Sequence, residues 1–564
     1  MAIGLRPYVQ NVRRTAATIR WTTPNAGEAA VLYRGADGIE RVVRGQSVAR
    51  SPDETGLSYT YYKHQVVING LSPGTEYAYR VRLDNSLYEP GVEMRFRTSG
   101  PSGFTFLAIG DTGTGSAEQD LLAKRMEGEA AQLLVHTGDV VYPTGRYDTY
   151  EKRYFDYYHA LMSRVPFYPT PGNHDYYETR AEPYIHIHDV PVENVPERDR
   201  GRYYSFDWGD VHFISLDSND PLIYAAAGPG EMLSWLEKDL AETKKFWRIA
   251  FFHHPPFAFG QNDRDLESVL ARQHIVPILE RYGVPLVLNG HEHSYQRSHP
   301  LNRTVYVTTG GGGAPLYGVR SSSLLATSAS KYHYVRASVE GRRLTLRAID
   351  RNGELFDEAT INPQPLLGRK SVVNAASFTE TVGKGAVVSI FGWQMAVETL
   401  DDGGKPLGLA KRSGVQVNIG DVELALLMVS PTQVNAVLPP HLSGPATIRV
   451  STPGGSASAD IEINPVAPAL FNAVLDASGS LVTQESPALA GSALTVLATG
   501  LAGFNGSINV RVGGQVLEAF ESPAPTPGIQ VIRFELPAST DAGLHFLQVE
   551  AGGVASNIIY IAVR

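Results

Sequence analysis

The chain has no cysteine among its 564 residues. That absence excludes disulfide staples, thiolate metal sites and cysteine nucleophiles together. Any metal must therefore be held by His, Asp, Asn, Glu or Tyr. No apolar run approaches the roughly 18–20 residues of a membrane-crossing helix, so no membrane span is expected. An excess of positive charge is missing as well: 49 Lys and Arg stand against 58 Asp and Glu, a formal net charge of −9. Such a surface offers no long-range attraction to DNA or RNA, and nucleic acid is not expected as a structural partner. Met1-Ala2 runs almost directly into a strand-like segment and leaves no room for a leader. The expectation is either a chain whose leader has been removed or a cytoplasmic one.

What is present is the composition of folded domains, with 43% hydrophobic and 19% charged residues. The length exceeds what one core can serve and points to about three to four domains. Residues 1–100 read as short alternating strands, among them Ala17-Thr-Ile-Arg-Trp21, Lys63-His-Gln-Val-Val-Ile68 and Tyr77-Ala-Tyr-Arg-Val-Arg-Leu83, separated by turn sequences such as Ser72-Pro-Gly-Thr75. This pattern predicts a β-sandwich resembling a fibronectin type III module, with Tyr77 as its corner tyrosine.

From residue 101 to 365 apolar strands alternate with amphipathic helices, the signature of an α/β domain with sheets flanked by helices. Ser116 and Gln119 predict a capping box, followed by a helical face of Leu122, Met126 and Ala130. Glu231 to Ala241 repeats the pattern with Leu233, Leu236 and Leu240. Thirteen of the 16 histidines fall between His136 and His333, a crowding that hints at metal chemistry. The remainder, 366–564, carries only 25 charged residues in 199 positions, is rich in Gly, Ser, Ala and Val and lacks helical periodicity. It contains an internal repeat. Val388-Ser-Ile-Phe-Gly392 parallels Thr495-Val-Leu-Ala-Thr-Gly500, Val417-Asn-Ile-Gly420 parallels Val510-Arg-Val-Gly-Gly514, and Ala446-Thr-Ile-Arg-Val450 parallels Leu544-His-Phe-Leu-Gln-Val549. Two Ig-like sandwiches, 366–465 and 466–564, are predicted. The opening Ser371-Val-Val-Asn-Ala-Ala-Ser-Phe378 resembles a C-terminal module of exported acidobacterial proteins. That resemblance implies a secreted or cell-surface protein with attachment through the tail.

Five segments of the α/β region place a polar residue of ligand type directly after an apolar strand: Phe106 to Asp111, Leu133 to Tyr142 with Asp139 between, Pro171-Gly-Asn173-His174-Asp175, Ile249 to His253 and His254, and Leu286 to His291-Glu-His293. Ligands bind at the carboxyl ends of strands in open α/β sheets, so these five ends are expected to meet. Adjacent side chains on an extended segment point to opposite faces, so only one of His253 and His254 is expected at the site.

The order Gly-Asp, Gly-Asp, Gly-Asn-His, a strand-end His and Gly-His-x-His resembles the metallophosphoesterase superfamily over roughly 250 of the 564 residues. The superfamily's usual Asp-x-His is here Asp111-Thr112-Gly113, while Tyr142 stands three residues after Asp139. That combination resembles the purple acid phosphatase family, which also places a sandwich ahead of its catalytic domain. The resemblance implies two metal ions: Fe³⁺ held by Asp111, Tyr142 and His293, and a divalent Fe²⁺, Zn²⁺ or Mn²⁺ held by Asn173, His253 and His291, with Asp139 bridging. Hard oxygen donors suit the trivalent ion, and amide with imidazole suits the divalent one. By the same resemblance His174 contacts the phosphate and assists the leaving group. The implied activity is hydrolysis of small phosphate monoesters by a metal-bound hydroxide, with a phosphodiesterase, or an adhesion protein with a structural metal site, as alternatives. Phe257-Ala-Phe-Gly-Gln261-Asn262 departs from the plant enzymes, which carry histidines there.

Overall fold

A computed structural model describes residues 4–89, 93–101, 103–177, 180–219, 230–408, 412 and 414–564. The chain divides into two compact units, Met1–Asn362 and Pro363–Arg564.

The first unit opens with a sandwich of two antiparallel sheets. One runs in the order Tyr8–Gln10, Ala16–Thr23, Tyr61–Asn69, Gln46–Arg50. The other runs Arg41–Arg44, Ala29–Arg34, Glu76–Leu83, Ser86–Leu87, with Met94–Arg97 also paired to Glu76–Leu83. Period-2 alternation buries Ile19, Trp21, Val66 and Ile68 from one sheet and Val31, Tyr79, Val81 and Phe96 from the other. The Tyr77 hydroxyl accepts the Ser72 N–H at 2.8 Å, closing the corner read from the sequence. Tyr8 ties this sandwich to the following domain, donating to the Ile187 carbonyl at 2.9 Å and packing edge-on against Phe155.

The central domain stacks two mixed sheets. The first has the order Phe167–Pro169, Leu133–His136, Phe104–Ile109, His333–Glu340, Arg343–Asp350, Leu355–Ile361, and its first three strands are parallel. The second has the order Tyr204–Trp208, Val211–Ser215, Trp247–Phe251, Leu286–Asn289, Val305–Thr309, Tyr295–Ser298, Leu325–Ala329, with four parallel strands in its middle. Alternation decides what each face meets. Phe106 points between the sheets, edge-on to Phe213 at 5.3 Å, and Tyr168 stacks on Phe206 at 3.8 Å. Leu107 and Ile109 point the other way, into a cluster with Leu122 and Met126 of the helix Ala117–Glu127. Ile214, Ala250 and Val287 do the same on the far side, against Leu233, Leu236 and Leu240 of the helix Glu231–Glu242. The two sheets are thus a filling between two helical layers.

Two local expectations change. Ser116 caps the first helix by accepting the Gln119 N–H, but the Gln119 side chain returns to the Gly115 N–H, one residue before the cap. The helix stops at Gly128, so Ala130 lies beyond it and is exposed, and Ala123 takes the buried place instead.

In the second unit the sequence repeat becomes a repeat of pairings. Val387–Trp393 pairs with Gln433–Val437 as Ala493–Thr499 pairs with Gln530–Glu535, and Gln416–Ile419 pairs with Gly444–Thr452 as Ile508–Val512 pairs with Gly543–Ala551. Each copy closes on its own apolar core, one around Val388, Ile390 and Val450, the other around Val496, Val510 and Val549.

One histidine of the central domain is a clamp. His212, buried on the strand Val211–Ser215, bonds Asp207 of the neighbouring strand at 2.8 Å and Asp239 of the helix Glu231–Glu242 at 2.7 Å. Burial opposes its charge, but the two carboxylates outweigh that and raise its pKa from 6.5 to about 9. The stabilisation this confers is complete below about pH 6.5 and is lost as pH rises through about 9. His212→Gln is therefore expected to destabilise this unit at pH 6 by on the order of 3 kcal/mol more than at pH 10, measured by denaturant unfolding at both pH values.

Candidate metal centre

All five strand ends do meet. Asp111 follows Phe104–Ile109, Asp139 follows Leu133–His136 and Asn173 follows Phe167–Pro169 in one sheet, while His253 follows Trp247–Phe251 and His291 follows Leu286–Asn289 in the other. Local backbone makes the approach possible. Asp111, Asp139 and His291 all adopt left-handed φ of 58°, 52° and 66°, a conformation that non-glycine residues hold only where the surroundings impose it. Their neighbours are glycines because nothing larger fits. A Cβ at Gly172 would lie 2.2 Å from Asp139 Oδ1, and one at Gly290 would lie 2.6 Å from Asp111 Oδ2.

The Asp139 carboxylate faces two groups of donors. Its Oδ2 accepts from the Tyr142 hydroxyl at 2.7 Å. That phenol oxygen is also 3.2 Å from Asp111 Oδ1 and 3.1 Å from His293 Nε2. Its Oδ1 lies 3.5 Å from His253 Nε2, which is 3.0 Å from Asn173 Oδ1 and 3.2 Å from His291 Nδ1. The seven residues read from the sequence as ligands therefore form two adjoining clusters that share Asp139.

The outward atoms of the rings are already engaged. His253 Nδ1–H donates to the Thr137 carbonyl at 2.9 Å, His293 Nδ1–H to the Pro315 carbonyl at 2.8 Å, and His291 Nε2–H to the Asp265 carboxylate at 2.8 Å. Each ring thus turns its other nitrogen inward. His291 Nδ1 and Asn173 Oδ1 face each other at 3.1 Å, both as acceptors, and a proton on His253 Nε2 serves only one of these contacts. Acceptors converging without protons between them fit a cation. Burial raises the Asp139 carboxyl, but His253 and His174 more than offset it and hold it well below the usual range. Burial, Asp139 and Asp111 together push the Tyr142 phenol well above its ordinary value, so only a strong positive charge would make it a phenolate.

His174 lies at the edge of the first cluster, its ring 4.3 Å from that of Tyr142. Its backbone N–H donates to Asp139 Oδ1 at 2.8 Å and its Nδ1–H to the Pro143 carbonyl at 2.7 Å, leaving Nε2 4.0 Å from Asp139 Oδ2 on a side chain that is 27% exposed. His254 departs from the expectation of opposite faces. The chain leaves the strand at Phe251, and the His254 ring packs edge-on to His291 at 4.4 Å with its Nδ1 on the Ser218 hydroxyl. Burial and its two histidine neighbours hold it neutral, well below its ordinary pKa.

Several supporting residues were not found from the sequence. Asp175 accepts the Val140 and Gly172 N–H groups and holds the loops of Asp139 and Asn173 together, its own pKa raised to about 7 by burial and Asp139. Its position directly after Asn173-His174 was the available signal. Asp265, 26 residues from His291, carried none. The segment that departs from the plant pattern is latched to the ligand loop, because Gln261 and Asn262 N–H donate to the buried Glu292 carboxylate and Asn262 Nδ2 donates to the His291 carbonyl.

Comparison with known proteins agrees with this architecture. Residues 104–295 match the family model of the calcineurin-like phosphoesterases, 4–98 that of the purple acid phosphatase N-terminal domain, and 371–462 that of the IPT/TIG domain. Purple acid phosphatase 15 of Arabidopsis thaliana is 28% identical over 49% of this chain, and purple acid phosphatase 23 of the same plant is 29% identical over 46%. The chain spans 59% and 65% of the lengths of these two relatives. Acid phosphatase type 7 of Homo sapiens is 25% identical over 63% of this chain and 89% of its own. The solved structure of PhoD aligns with a TM-score of 0.48 at 14% identity, over 63% of this chain and 88% of that one. The chain thus contains a calcineurin-like phosphoesterase domain preceded by the N-terminal domain of the purple acid phosphatases, with an Ig-like IPT/TIG domain in its tail.

Proposed function

We propose that this protein hydrolyses phosphate monoesters at a binuclear metal centre of the purple acid phosphatase kind. The observation that carries the reading is the division of one carboxylate, Asp139, between an oxygen-rich cluster and a nitrogen-rich one. Fe³⁺ among Asp111, Tyr142 and His293, and a divalent Fe²⁺, Zn²⁺ or Mn²⁺ among Asn173, His253 and His291, would supply water activation and neutralisation of phosphoryl charge.

The chain's own residues have separable tasks. Asp265, Thr137 and Pro315 fix which ring nitrogen faces inward. Tyr177 accepts from Asn173 Nδ2 at 3.0 Å and so aims the amide oxygen at the cluster. The His174 Nδ1–H bond reserves Nε2 for a proton that a departing alkoxide can take. Export and attachment through the tail belong to the same proposal, supported by its Ig-like domains.

The test is turnover of aryl phosphate mono- and diesters by the metal-loaded protein. The monoester is expected to be faster. The reverse order would make it a phosphodiesterase, and bound metal with neither activity would favour a structural site in an adhesion protein. Asp139→Asn removes the one group shared by both clusters, and metal content and turnover should fall together, by more than the roughly 10–100-fold that outer-sphere substitutions cost. Metal analysis beside a rate assay checks it. Tyr142→Phe keeps the ring but deletes its oxygen, so the visible phenolate-to-iron band expected of the iron-loaded protein should vanish while part of the activity survives. Absence of that band in the unsubstituted protein would remove Tyr142 from the site.

A further inference from the structure

The tail contains a second built site. In the loop between Leu366–Asn374 and Val387–Trp393, Phe378 holds a left-handed φ of 56° with its side chain 64% exposed. A bulky residue rarely adopts that conformation, and here most of the residue is left exposed. The loop is nonetheless fixed. Buried Asn374 accepts the Ala376 and Ser377 N–H groups on its side chain and the Phe378 N–H on its carbonyl. A rigid loop is thus strained to present an aromatic ring to solvent.

Beside that ring is a cavity of about 260 Å³ between the two tail sandwiches, with Phe471 of the second sandwich also lining it. Its floor is the outer face of the sheet that contains Val387–Trp393 and Gln433–Val437. Val388, Ile390, Val434 and Ala436 enter the core, so Ser389, Gln433 and Asn435 face outward. Ser389 Oγ and Gln433 Nε2 both donate to Asn435 Oδ1, at 3.0 and 2.8 Å. Both acceptor sites of that amide oxygen are taken, so the two N–H donors of Asn435 Nδ2 and the Gln433 carbonyl oxygen remain for a ligand in the cavity these residues line. Asp401 adds a carboxylate, one oxygen of which accepts the Gly403 N–H at 2.8 Å. Among the described residues no Lys or Arg lines the cavity.

We propose that this cleft binds a neutral saccharide chain, Phe378 stacking on a sugar face while Asn435, Gln433 and Asp401 hydrogen-bond its hydroxyls. A sugar ring has an apolar C–H face for the aromatic and hydroxyls that both donate and accept, which matches an amide pair and a carboxylate. The Asp401 carboxylate, with no cation among the described lining residues, disfavours phosphate and other anions, and the polar floor disfavours a lipid tail. The occupant is therefore distinct from the substrate of the catalytic unit, and this inference does not rest on the phosphatase reading.

The experiment is calorimetric titration of the full-length protein with a panel of neutral gluco-, xylo- and mannopentaoses, α- and β-linked. At least one should bind, Phe378→Ala and Asn435→Ala should each weaken it by about tenfold or more, and Phe378→Tyr should retain it. Phe378→Gly separates function from packing. If the strain serves a ligand, this variant loses binding while its tail melts at a higher temperature than the parent's. No binding by the parent protein at millimolar saccharide, or equal binding by the alanine variants, overturns the proposal. So does a lower melting temperature for Phe378→Gly, which would mean that the ring is there for the fold.

Discussion

The first unit depends on bringing Asp111, Asp139, Tyr142, Asn173, His253, His291 and His293 within contact of one another although most present lone pairs. Left to themselves such groups separate into water, since a buried acceptor without a proton costs free energy. The scaffold overrides this with backbone rather than side chains. The His291 N–H is bonded to both oxygens of Asp111, the His174 N–H to Asp139, and the Val140 and Gly172 N–H groups to Asp175. The loops of His291, Asn173 and Asp139 are thereby each tied to a carboxylate from another loop. The aromatic layer between the sheets, Phe106 against Phe213 and Tyr168 against Phe206, fixes the distance across which these ties are made.

Much of this was legible in the sequence, for a physical reason. Strand ends followed by ligand-type residues mark where open sheets place their sites, and that rule needs only local pattern. The glycines before Asp139, Asn173 and His291 were part of the pattern too, although their cause, the near-contact of one loop with the next, appears only in three dimensions. What could not be read was through-space. Asp265 reaches His291 from a loop with no motif, and His254 turns toward the site because the strand ends two residues earlier than simple alternation assumes. Ala130 was misplaced because a face was extended past Gly128, where the helix ends.

The tail was legible in another way. Matching segments at matching spacing became matching strand pairs, so the duplication was visible before any contact was known. Its cleft was not visible. Ser389, Gln433 and Asn435 look like ordinary outward positions of a sheet, and only the neighbouring sandwich makes them the floor of a cavity.

The outward bonds of His253, His291 and His293 go to Thr137, Asp265 and Pro315, all groups of the polypeptide itself. The direction in which each ring presents its inward nitrogen is therefore set by the chain's own hydrogen bonds. A change at Asp265, which lies outside every motif, reaches the centre through the His291 ring that it orients.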